Sequence, residues 1–162
     1  MTIADWANFF VAEVGAAAAL TGLVVVAVSI NLNRILSFPQ LPARAGESIV
    51  VLAGALVLSS LGLMPGQPIA IFGVEVLAIG LVIAVMALRS QLPATELIEG
   101  LTQFKIHLRA FVSASVALPL IAGGILLMFG VNAGLYLTGI GVLTALAAGV
   151  WNAWVLLIEI MR

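Results

Sequence analysis

Two glutamates, Glu13 and Glu75, stand inside long apolar stretches of this 162-residue sequence, and two adjacent serines, Ser59 and Ser60, stand in a third. A carboxylate placed in hydrocarbon costs several kcal/mol unless it faces protein or water, so each of the two needs a partner or a task. Counting about 1.5 Å per helical residue, Glu75 lies roughly 21 Å above Arg89 and Glu13 roughly 31 Å above Arg34. In a hydrocarbon layer about 30 Å thick, Glu75 is then expected in the outer half of the core and Glu13 near its outer rim. No lysine or arginine falls at that depth, which leaves no ion pair within one chain. Glu75 is therefore expected to be protonated, hydrogen-bonded or neutralised by a bound cation. Ser59 and Ser60 precede the Pro65-Gly66 turn by about as many residues as Glu75 follows Pro68, and so should lie at similar depth on the adjacent helix. Two readings compete. In one, a hydrogen bond satisfies a neutral carboxyl. In the other, Glu75 lines a cation or proton site with Glu13 at its mouth and the serines as further oxygen ligands.

Nothing else in the chain carries catalytic chemistry. Cysteine is absent, the only aspartate is Asp5, and no His-Glu motif, G-x-S-x-G or P-loop occurs. The lone His107 sits between Lys105 and Arg109, a solvated or headgroup-facing environment. An enzyme is not expected, nor a cofactor. A net charge of −1 and a pI near 5.7 argue against nucleic acid, which would want a basic face.

The elements that must position the carboxylates are dictated by composition. Hydrophobic residues make up 64% of the chain, charged residues 8%, and the mean hydropathy is +1.29, values no soluble surface tolerates. The apolar stretches are long enough for α-helices to cross a bilayer, where every backbone polar group must be satisfied within the segment. The reading is an all-α integral membrane bundle of about five transmembrane helices in a single domain, over residues 9–32, 48–63, 69–88, 110–129 and 135–160. The opening Met1-Thr2-Ile3-Ala4-Asp5-Trp6 lacks the basic region of a signal peptide, so the first helix is expected to be retained. Residues 37–46 read as a loop, and Met64-Pro65-Gly66-Gln67-Pro68 as a tight turn that makes the second and third helices antiparallel neighbours. Residues 93–109, with Leu97, Leu101, Phe104 and Leu108 at helical spacing, read as an amphipathic segment on the membrane or an extension of the fourth helix.

All six cationic residues, Arg34, Arg44, Arg89, Lys105, Arg109 and Arg162, fall on one side of this topology. The positive-inside rule then places the N-terminus outside and the C-terminus in the cytoplasm. Trp6 and Tyr136 at outer ends and Trp151 and Trp154 toward the inner end agree with it. Gly22-Leu23-Val24 is echoed by Gly80-Leu81-Val82, and Gln40-Leu41-Pro42-Ala43 by Gln91-Leu92-Pro93-Ala94. Two parallel hairpin repeats plus a fifth helix would account for the echo.

Backbone features supply the remaining candidates. Pro119 removes a donor from the middle of the fourth helix and frees the carbonyl of Ser115, to be answered by the Ser115 hydroxyl or by water. With Gly123 and Gly124 a turn further on, it is a candidate gating hinge. Gly141, Ala145 and Gly149 on the fifth helix, and Gly15, Ala19, Ala18 and Gly22 on the first, repeat at four-residue spacing, which lets helix backbones approach closely within a chain or between chains.

The runs Phe9-Phe10-Val11-Ala12, 15–23 and 26–36, with Pro65-Gly66-Gln67 later, resemble small uncharacterised bacterial membrane proteins, many of them actinobacterial. The resemblance implies a bacterial inner membrane and a compact helical bundle, and carries no activity. The leading expectation is a small homo-oligomeric channel or transporter for a cation or proton, worked by the outer-half carboxylates in the lipid bilayer. Its rival is a non-transporting accessory or scaffold subunit of a larger membrane complex.

Overall fold

A computed structural model describes residues 2–38, 41–96 and 103–161, with side chains described outside 90–96, 103–106, 109 and 155–161. A single 3-10 turn (Ile3–Trp6) leads into α1 (Ala7–Ile30), followed by the short α2 (Leu32–Leu36), α3 (Leu41–Leu61), α4 (Ile69–Glu96), α5 (Gln103–Met128) and α6 (Ala133–Met161). Five of these are long and apolar enough to span a membrane, over Ile3–Ile30, Leu41–Leu61, Ile69–Arg89, Ala110–Met128 and Ala133–Trp154. Among the described residues there is no strand. The chain is an all-α membrane bundle.

Two boundaries differ from the hydropathy reading, each for a local reason. α3 begins at Leu41, seven residues before the Ser48 expected, because Pro42 falls in its first turn, where a missing N–H costs nothing. Arg44 is thereby helical rather than in a loop, and Glu47 joins it in the same helix. α4 runs past Arg89 to Glu96 and α5 starts at Gln103, so both ends of the 93–109 segment continue the spanning helices, while Leu97 and Leu101 lie outside the described residues. The Pro42 and Pro93 echoes stand in different places, one opening α3 and the other near the end of α4, so they do not mark equivalent positions.

Lipid is as apolar as leucine, so the helices are held together by close packing rather than by a hydrophobic drive. Glycine provides the closeness. A Cβ on Gly73 of α4 would lie 2.7 Å from the Met128 amide nitrogen, and one on Gly124 of α5 would lie 2.6 Å from the Leu77 nitrogen, so these two backbones touch. Gly123 points the other way: a Cβ on Gly134 of α6 would meet the Gly123 carbonyl oxygen at 2.6 Å. The adjacent pair Gly123-Gly124 thus fits α5 between α4 and α6. On α6, Gly141 receives the side chain of Leu120 from α5, Gly149 receives that of Leu52 from α3, and Ala145 is buried between them. The small-residue stripe of the fifth span is therefore used inside the chain.

The same stripe on α1 is not. A Cβ on Gly15 or Gly22 would meet nothing within 4 Å, and Ala18 and Ala19 beside them are exposed. α1 buries Phe10, Ala17 and Val24, one residue every two turns, against α3 and is the least buried of the five spans.

Two of the connections between spans carry a left-handed glycine. Gly66 has φ 70° in the turn between α3 and α4, and Gly130 has φ 73° after α5. There, Val131 N–H donates to Leu126 O and Gly130 N–H to Leu127 O, the paired bonds that close a helix on glycine. Val28 near the end of α1 packs on Ile35, Leu41 and Ala45, while Phe10 near its start lies on Gly62 just beyond α3, so α1 and α3 are antiparallel. Gly54 packs on Ile79 and Ile83, and with the turn at Gly66 this makes α3 and α4 antiparallel as well. α1 and α4 therefore run parallel.

Candidate functional site

The polar groups of this bundle sort by depth. Arg34 on α2, Arg44 in the second turn of α3 and Arg89 late in α4 mark one end, the basic end; Glu13 and Glu75 lie toward the other, the carboxylate end. Exposed Trp151 and Trp154 stand near the basic end, and Trp6 and Tyr136 stand together at the carboxylate end, with ring centroids 4.9 Å apart. This matches the aromatic belts that anchor a span at both interfaces.

Glu13 and Glu75 occupy equivalent places on their helices. Phe10 and Phe72, both fully buried, meet edge to face with centroids 5.7 Å apart, and each glutamate follows its phenylalanine by three residues on parallel helices. The two carboxyls are therefore about 4.5 Å, just under one helical turn, inward of the same aromatic contact, at a similar level rather than at rim and core. Their surroundings differ.

Glu75 is half-buried and accepts a hydrogen bond from the Gln67 amide of the Pro65-Gly66-Gln67-Pro68 turn. The serines singled out beside it are at its depth but do not bond to it. Ser60 is exposed and donates back to the Leu56 carbonyl at 2.8 Å. Ser59 is 0% exposed, and its hydroxyl has no hydrogen-bond partner. Glu13 is half-buried, with its Oε2 enclosed and likewise without a partner. The Trp6 indole nitrogen and the Gln67 Oε1 complete the unpartnered buried side-chain atoms among the described residues, and all four belong to the carboxylate end.

Reasoning from sequence missed Gln67, which lies in the turn just before α4, only eight residues from Glu75. It also missed Glu47. This carboxyl is 8% exposed near the basic end of α3 and accepts a hydrogen bond of 3.0 Å from Ser113 of α5. The signal was available: with Pro42 as the first-turn residue, Arg44 and Glu47 fall at i and i+3 on one helix face.

The carbonyl freed by Pro119 is answered by Thr144 and not by the Ser115 hydroxyl. The Ser115 hydroxyl donates to Val112 O at 2.7 Å, and Thr144 of α6 supplies the missing donor to Ser115 O at 3.0 Å. The bend is thereby tied to α6, and Gly123 and Gly124 are packed on both sides; as hinge candidates, these three residues are held by their neighbours. Among the described residues, no group of three His, Cys, Asp or Glu side chains could hold a metal ion.

Comparison with protein-family models, with characterised proteins and with solved structures finds no match to this chain. Its fold defines it as a multi-pass helical membrane protein.

Proposed function

We propose that the protein is a small channel or transporter of a bacterial inner membrane that binds a proton or a small cation through Glu13 and Glu75. The observation that carries this reading is the cluster at the carboxylate end: two carboxyls at a similar level, no lysine or arginine on the helices around them at that depth, and buried oxygens on Glu13, Ser59 and Gln67 without partners. Evolution of a merely structural bundle favours satisfied polar groups in lipid, since each unsatisfied one is costly. A homo-oligomer is part of the proposal, supported by the open face of α1 at Gly15, Ala19 and Gly22. The reading is non-enzymatic and needs no cofactor.

The same open face favours the second reading, an accessory subunit that docks a larger membrane complex through α1. The two separate in purified vesicles. Reconstituted protein with a pH gradient, or a sodium or potassium gradient, should dissipate it, and the E13Q/E75Q double variant should not. Wild-type vesicles as tight as protein-free ones to protons and to both cations would reject the transporter and leave the accessory reading, with a foreign stoichiometric partner as its own requirement.

A further inference from the structure

We propose that the Glu75 carboxyl and the Gln67 side-chain amide form a binding pair for a proton, closed when the protonated carboxyl donates to the Gln67 Oε1 that otherwise has no partner. The inference rests on the proton or cation reading above and narrows it to one species and to the amide that selects it.

Gln67 Nε2 donates to Glu75 Oε2 at 2.5 Å. A carboxylate only accepts, so an amide must meet it nitrogen first. The oxygen of the same amide is enclosed and receives no hydrogen bond, a costly state for a buried acceptor. The backbone on either side keeps the amide in place. Gly66 before it has φ 70°, and Pro68 after it restricts Gln67 to extended backbone. Pro68 O in turn accepts from the Ile71 and Phe72 N–H groups at the start of α4, and Glu75 stands in the second turn of that helix. Protonation of Glu75 supplies the donor that Oε1 lacks. The carboxyl O–H bonds to Gln67 Oε1 while Gln67 Nε2 keeps its bond to the other carboxyl oxygen, the two-bond ring of a carboxylic acid and an amide. Only the two end groups turn, about terminal torsions that are broad in both glutamate and glutamine. The charged pair has one hydrogen bond and an orphaned oxygen; the protonated pair has two bonds and no orphan.

The same pairing disfavours a metal ion. Glu75 and Gln67 are too few ligands for a hard cation, which takes about six or more oxygens, and the N–H on Glu75 Oε2 opposes one. Of the ionisable groups on the elements packed around Glu75, Glu13 on α1 stands at a similar level. Asp5 in the turn before α1 and Tyr136 near the start of α6 lie at the carboxylate end, while Arg44 and Glu47 of α3, Lys105, His107 and Arg109 of α5 and Arg89 of α4 itself lie toward the basic end. No cation therefore competes with the proton from within the chain. Pro65, Gly66 and Pro68 around Gln67 are exposed, which places the pair beneath the surface of the carboxylate end. A proton given up there by hydronium bonds to a Glu75 oxygen and leaves water behind, and the new O–H is donated to Gln67 Oε1; release to water reverses both steps.

The test uses the full chain in lipid vesicles, with infrared difference spectra between acidic and alkaline pH on protein whose glutamine side-chain carbonyls carry an isotope label. In the wild type a protonated-carboxyl band should rise together with a shift of a labelled carbonyl. E75Q should lose both signals, and E13Q should keep them coupled. Q67L should lose the labelled shift and retain a carboxyl band displaced to higher frequency. Proton flux should fall at least tenfold in E75Q and severalfold in Q67L, with unchanged elution of both variants in detergent as the control on folding. A labelled shift that survives E75Q or Q67L overturns the proposal, as does a wild-type carboxyl band with no labelled shift. So does a carboxyl band abolished by sodium, potassium or calcium at fixed pH, which would make Glu75 a metal ligand. Proton flux without the coupled signals removes this inference and leaves the transporter; the coupled signals without flux keep the pair and remove the transporter.

Discussion

At the scale of the residue, the bundle holds its carboxyls by three different arrangements. Glu75 is held by one side-chain amide, Glu47 is held across helices by Ser113, and Glu13 is left open on one oxygen. Side-chain hydrogen bonds in membrane bundles contribute about 0.6 kcal/mol on average and up to about 1.7. Replacing Gln67 with Leu should therefore lower stability by roughly 1 kcal/mol, and in a double-mutant cycle with Glu75→Gln most of that loss should appear as coupling. Reversible unfolding in mixed micelles measures it, and a coupling of zero would mean that Gln67 does not hold Glu75 in the membrane. The Glu75–Gln67 pair also shows why the sequence misleads here. Counting from the shared turn put Ser59 and Ser60 on a level with Glu75, whereas counting from the cationic anchors set Glu13 apart at the rim, away from the level that the Phe10–Phe72 contact gives it. Which way each side chain turns around its helix could not be counted, and that decided the partner: Ser60 faces outward, Ser59 faces inward, and the turn residue reaches Glu75 first.

At the scale of the element, glycine and proline mark where helices touch. Gly73 and Gly124 let α4 and α5 meet backbone to backbone, so a side chain at either forces the pair apart. Gly124→Val should destabilise the protein by about 1–3 kcal/mol or more, the range for overpacking a tight contact. Gly15→Val and Gly22→Val, where nothing lies within 4 Å, should leave monomer stability unchanged. If they weaken the wild-type protein as much as Gly124→Val does, α1 is covered by another chain, and the loss should then vanish on dilution in detergent. Thr144→Val removes the donor that answers the Pro119 bend and should cost roughly 1 kcal/mol, a loss that Pro119→Ala should largely cancel because alanine restores the helical N–H to Ser115 O. Spacing alone revealed both small stripes. It could not tell that α6 spends its stripe on Leu120 and Leu52 while α1 leaves its own bare, because four-residue spacing describes a face and not what lies opposite it.

At the scale of the whole molecule, five spans with Arg34, Arg44 and Arg89 at one end and Glu13 and Glu75 toward the other follow from composition and from the placement of a few charges. That much was legible because the bilayer imposes it: length, apolarity and interfacial aromatics have few alternatives in lipid. The same asymmetry predicts which solution each end meets. Lysine and arginine are retained on the cytoplasmic side during insertion, so the basic end should face inward and the carboxylate end outward. The natural absence of cysteine makes the orientation directly measurable, since one introduced thiol is the only one in the chain. Ser37, exposed just after α2, and Asn132, exposed in the turn after α5, report opposite ends. In intact bacterial cells, a membrane-impermeant maleimide should label Asn132→Cys at once and Ser37→Cys only after permeabilisation. The reverse pattern would put Glu13 and Glu75 toward the cytoplasm, and any proton they bind would then be drawn from that side of the membrane.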